Sequence, residues 1–165
     1  MQRFRNLFLI CILTFLPLLG SAESDVSGWG RTQWGMTHSE VKKHYELGPW
    51  EPGAAPICKL TKKIRIWEHD FTVALYFDEQ SASGKLFKVL LVHFNDFSAD
   101  TNWLTSIKDL IVDKYGNPVS FEINGNMKVS RWLKSAGQLK LTTLTDKTVM
   151  CAMEYVSVSL EGNKL

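Results

Sequence analysis

Phe71-Thr72-Val73-Ala74-Leu75-Tyr76-Phe77 is the stretch that decides the fold. Phe71, Val73, Leu75 and Phe77 fall on every second residue, the period of a strand with one buried face. Asp78 to Gly84 (DEQSASG) follows as a polar turn, and Leu86 to Phe94 is apolar on nearly both sides. Such a run predicts a central strand covered on its second face as well. Upstream, Lys59 to Trp67 predicts a strand with Ile64 and Ile66 on one face, and Glu68-His69-Asp70 reads as the turn that follows. Downstream, Val119 to Ile123, Met127 to Lys134, Gln138 to Leu144 and Val149 to Leu160 predict further strands. Asn124-Gly125, Ser135-Ala136-Gly137 and Thr145-Asp146-Lys147 supply the turns between them.

Helix signals precede each group of strands. Thr37 and Glu40 have capping-box spacing, with Met36 and Val41 placed for a hydrophobic staple. A helix is predicted from His38 to about Leu47, stopped by Gly48 and Pro49. Pro49 to Pro56 (PWEPGAAP) reads as a loop. Asp100 or Thr101 caps a second helix, whose apolar stripe is Leu104, Ile107, Leu110 or Ile111, and Tyr115. Gly116 and Pro118 end it. The expected class is α+β: one antiparallel sheet with two helices on one face, arranged helix-then-strands as a weak duplication.

The start of the chain reads as an export signal, residues 1–22. Arg3 and Arg5 give a basic start, Leu7 to Leu19 an apolar run, and Gly20-Ser21-Ala22 the small residues of a cleavage site before Glu23. The run is shorter than the roughly 20 apolar residues of a membrane span. No stable membrane insertion is expected after cleavage. Residues 23–165 then form a single domain in the periplasm or outside the cell. The whole chain is formally +2, and Arg3 and Arg5 account for that excess. A neutral remainder argues against a nucleic-acid partner. Cys11 leaves with the signal, and Ile10 stands where a lipid-attachment motif needs Gly or Ala. Cys58 and Cys151 remain, and an oxidising compartment predicts a disulfide between them.

Catalytic signatures are absent from the sequence. His38, His44, His69 and His93 lack metal-ligand spacing, so no metal or other cofactor is predicted. Glu68 and Asp70 flank His69 as ordinary turn residues. There is no G-x-S-x-G, P-loop or dinucleotide fingerprint, and no catalytic residue is assigned. Lys59, Lys62, Lys63 and Arg65 make the main basic cluster, which reads as an anion patch or as a solvated strand edge. All six tryptophans follow the signal: Trp29, Trp34, Trp50, Trp67, Trp103 and Trp132. Trp34 and Trp103 border helices and are assigned to packing. Trp50, Trp67 and Trp132 are the expected contact residues for a protein, peptide or glycan, with Lys62, Lys63 and Arg65 adding polarity. The expected function is an exported, non-catalytic binding domain acting on an envelope protein or cell-wall component. The alternatives are an envelope hydrolase with a non-obvious site, and a structural or stress-related envelope protein.

Trp34-Gly35-Met36-Thr37, with Glu40-Val41 after it, and Tyr115-Gly116-Asn117-Pro118 resemble a pattern in small exported bacterial proteins. In those, "WGM" opens a helix, strands follow, and a second helix ends in "YG-x-P". The element order is also similar to the helix-then-strands repeat of the β-lactamase inhibitor protein and of the small lipoprotein of the outer-membrane barrel-assembly machine. The resemblance implies a binding role rather than an enzyme. It carries over no binding residue.

Overall fold

In the computed structural model, residues 24–53, 55–66, 68–96 and 101–161 are described. The export signal and Trp67 lie outside the described residues. Along the chain the elements are α1 (His38–Val41), β1 (Leu47–Trp50), β2 (Ile57–Leu60), β3 (Ile64–Ile66), β4 (His69–Phe77) and β5 (Leu86–Asp96). Then come α2 (Asn102–Tyr115), β6 (Ser120–Asn124), β7 (Met127–Leu133), β8 (Gly137–Thr145), β9 (Thr148–Ser157) and α3 (Val158–Glu161).

The strands form one antiparallel sheet in the order β1-β2-β4-β5-β9-β8-β7-β6, with β3 also paired to β4. This corrects the expected α+β class. The fold is largely β, and α2 is the one helix longer than four residues among the described elements. α1 is a single turn. Its capping box forms, with the Glu40 amide donating to Thr37 Oγ1 and the Thr37 amide to Glu40 Oε2. Beyond Val41, however, Lys42 and Lys43 are exposed, so no apolar stripe carries the helix further. Leu47 instead pairs with Leu60 and Trp50 with Cys58, turning 47–50 into a strand. Three smaller expectations change as well. Lys59 to Trp67 is not one strand, since β2 ends at Leu60 and β3 begins at Ile64. His69 and Asp70 pair with Ile66 and Arg65 inside β4 rather than forming a turn. The C-terminal strand stops at Ser157 and passes into α3.

The alternation along residues 71–77 places Phe71, Val73, Leu75 and Phe77 on one face, all fully buried. Register carries that face across the sheet. Cys58, Leu75, Val89, Tyr155, Leu139 and Trp132 are successive partners from β2 to β7, and all are buried. α2 lies over this inner face and buries Leu104, Ile107, Ile111 and Tyr115 at helical spacing. Gly116, at φ 77°, ends it where an L side chain would be strained. β5 is central, as expected, but its second face is not closed: Phe94 is 67% exposed.

The expected Cys58–Cys151 disulfide is also corrected, because both cysteines are free and buried. Cys58 sits on β2 and Cys151 on β9, three strand spacings apart, about 14 Å laterally. Cys58 is level with Tyr155, so Cys151 is a further four residues along β9, about 13 Å. A disulfide requires Cα atoms within about 7 Å.

Residues 24–36 strap the far end of the sheet. Val26 is fully buried, and its carbonyl accepts a 2.7 Å hydrogen bond from Trp34 Nε1. Gly137 allows that approach, since a Cβ there would stand 2.4 Å from the Val26 oxygen and 2.7 Å from the Val156 oxygen. Both obstacles are backbone and cannot swing aside. Gly137→Ala is therefore expected to destabilise the fold by about 1–3 kcal/mol, read as a lowered urea midpoint. An unchanged midpoint would mean that the strap does not pack as described.

Candidate functional site

The inner face changes character at its β6 end. On β7, Lys128, Ser130 and Trp132 share the inward side, opposite Thr143, Leu141 and Leu139 of β8. Period two would call for apolar residues at 128 and 130. The polar residues there coincide with a groove of about 250 Å3 between α2 and the sheet. Ser130, Leu141 and Thr143 line it from the sheet, and Thr101, Leu104, Thr105 and Lys108 from the start of α2. Phe121, Lys128 and Thr145 complete the lining.

Two lysines and five hydroxyl side chains thus meet in one concavity, and among the described residues its lining contains no carboxylate. Lys108 Nζ lies 4.9 Å from the Phe121 ring centroid, a cation–π contact that holds the ammonium beside the groove. Thr101 is the N-cap of α2, yet its side chain makes no capping bond. Ammonium donors and hydroxyls without a competing carboxylate suit a carboxylate, phosphate or sulfate. Lys108, Lys128, Ser130 and Thr143 were not singled out by sequence reasoning. The available signal was polar residues at inward positions of otherwise apolar strands.

Two aromatic–histidine clusters lie elsewhere on the inner face. His38 stacks on Trp50 at 4.5 Å and meets the edge of Phe77 at 5.3 Å. Its Nε2 is 3.7 Å from Cys58 Sγ, a contact between residues distant in sequence. Burial pushes the Cys58 thiol up to about 11, and burial, reinforced by Lys42, lowers the His38 pKa. The pair therefore rests as thiol and neutral imidazole, not as the thiolate–imidazolium of an activated nucleophile. In the second cluster, His69 stacks on Trp103 at 4.0 Å and His93 meets Trp103 edge-on at 5.2 Å. His93 Nδ1 faces the Asp70 carbonyl at 3.0 Å, so that nitrogen is the donor of the contact. Both clusters anchor elements to the sheet. Among the described residues no group of three His, Cys, Asp or Glu is arranged to hold a metal.

The expected contact residues do not converge. Trp50 is half-buried against His38 and Phe77. Trp132 is 1% exposed, and its indole is in the core. Lys62 and Lys63 are exposed in the turn between β2 and β3, and Arg65 is exposed on β3. Three of the four basic side chains in that run face carboxylates: Lys59 with Glu51 at 3.2 Å, Lys62 with Glu46 at 3.7 Å, and Arg65 with Asp70 at 2.9 Å. Pairing of this kind makes a solvated, locally neutral surface. It stands at the opposite end of the sheet order from the groove.

Comparison with family models, with curated proteins and with solved structures yields no match. The groove must therefore be read from its own chemistry.

Proposed function

We propose that the protein is an exported, non-catalytic binding domain that seats an anionic group of an envelope protein or cell-wall component between α2 and strands β6–β8. The observation that carries this reading is the presence of Lys108 and Lys128 in one hydroxyl-rich groove, lined by no carboxylate among the described residues. The signal pattern of residues 1–22 supports the compartment. No helix among the described residues is long and apolar enough to cross a membrane. The cysteine–histidine contact offers no support to a hydrolase, because burial keeps the Cys58 thiol protonated.

The test is a titration of the chain with inorganic phosphate and with tetraglutamate, followed by amide NMR shifts. Shifts are expected at Thr105, Lys128, Ser130 and Thr143. A hydrogen bond to a charged group is worth about 1.5–3 kcal/mol, so each of Lys108→Ala and Lys128→Ala should weaken binding about tenfold or more. Shifts confined to other surfaces, or equal affinity in the double variant, would refute the groove as the seat.

A further inference from the structure

We propose that the groove's ligand is an extended polypeptide segment that adds as a further strand along β6, with acidic side chains two residues apart reaching Lys108 and Lys128. The proposal rests on the groove being an anion seat.

β6 ends the sheet order and pairs only with β7 among the described residues. One row of its backbone N–H and C=O groups therefore faces outward. Sheet edges in natural proteins are normally blunted by lysine, proline, irregularity or shortness. The opposite edge follows that rule: β1 has four residues, contains Pro49 and shifts register between Leu47 and Trp50. β6 (Ser120-Phe121-Glu122-Ile123-Asn124) contains neither lysine nor proline, and its register with β7 is unbroken. It is also where apolar exposure concentrates. Val119, Phe121 and Ile123 are 67%, 49% and 62% exposed, three alternate residues in a run of five. An accessible, regular, apolar edge is the geometry used for strand addition.

Charge selects the occupant. Glu122 is the one charged residue of β6, and it is paired with Arg131. Lys108 lies over Phe121, and Lys128 is the register partner of Ile123. The two lysines are thus offset by two residues along the edge, about 7 Å, the spacing of same-side residues on an added strand. Acidic residues at i and i+2 would face both lysines, while the residue between them points to the other side of the sheet. Partners with a single acid, or with acids at adjacent positions, satisfy only one lysine.

The test uses the full chain and an eight-residue capped peptide of alternating threonine and glutamate. Two companion peptides carry N-methyl groups on alternate amides, in opposite phases. An added strand turns only every second amide toward β6. One phase should therefore bind at least tenfold more weakly, while the other retains affinity. Amide hydrogen exchange at residues 119–124 should slow with the unmethylated peptide. Equal affinity in both phases without protection of β6, but with loss in the Lys108→Ala/Lys128→Ala variant, overturns strand addition and leaves the anion seat standing. Protection of β6 that is indifferent to both lysines overturns the proposal as stated together with the anion seat. No binding by the peptide, with phosphate still bound in the groove, overturns the polypeptide ligand alone.

Discussion

Trp132→Ala should lower the unfolding free energy by about 3–5 kcal/mol, the range for truncating a large buried aromatic. Trp132 is 1% exposed and the bulkiest fully buried side chain of the described residues. It packs in the inner face beside its β8 partner Leu139. Its Nε1 donates a 2.7 Å hydrogen bond to the carbonyl of Gly116, the C-cap of α2. One side chain thus fills the core and ties the helix end to the sheet. Trp132→Phe separates the two roles. It retains much of the apolar contact and removes the donor, for a cost of about 1–3 kcal/mol from the unsatisfied carbonyl. Urea unfolding measures both. Against a total stability of about 5–15 kcal/mol, the alanine variant is expected to populate unfolded chain at moderate temperature. A cost below about 1 kcal/mol would return Trp132 to the surface role suggested by composition.

The thiols should resist modification in the native chain. Burial raises the Cys58 pKa to about 11 and that of Cys151 to about 12, from an ordinary 9.0. At pH 8 the thiolate fraction then falls about a hundredfold for Cys58 and about a thousandfold for Cys151, and the thiolate is the reactive species. Iodoacetamide at pH 8 should accordingly label the native chain at least about a hundredfold more slowly than the urea-unfolded chain. Two alkylated residues at the unfolded rate, or a mass lower by two hydrogens without reductant, would contradict the fold as described. The same burial sets an alkaline limit. Groups whose folded pKa exceeds the unfolded value stabilise the fold fully below the unfolded value. That stability is lost as pH rises from there through the folded value. For both cysteines the loss begins near pH 9.0, and burial shifts Tyr76 and Tyr155 upward from 10.0 in the same sense. The urea midpoint should hold steady to about pH 8.5 and decline from pH 9 upward.

Local patterning explains which elements were legible. β4 follows from period two, β5 from a continuous apolar run, β7, β8 and β9 from strand runs set off by turn residues, and α2 from its stripe at 104, 107, 110 or 111, and 115 with a glycine stop. Residues 47–50 were misread because strand pairing with 57–60 is non-local and overrode a good helix start. Trp132 was misjudged for a related reason. Its alternation with Val129 and Arg131 left open which face is covered, and α2 crossing from another part of the chain settles that. The two cysteines were expected to meet, but strand order keeps them apart. Lys128 and Ser130 were visible as breaks in an apolar face, yet nothing local distinguishes a groove from a frayed edge.

The sequence by itself determined where the main strands and the amphipathic helix α2 run, because periods of two and 3.6 are written in neighbouring residues, but it pointed to an α+β class with two helices. The tertiary structure alone decided that α2 covers one end of the inner face and leaves Lys108 and Lys128 beside an open β6. That outcome depends on sheet order and helix placement, contacts between segments far apart in sequence, and no local spacing encodes them.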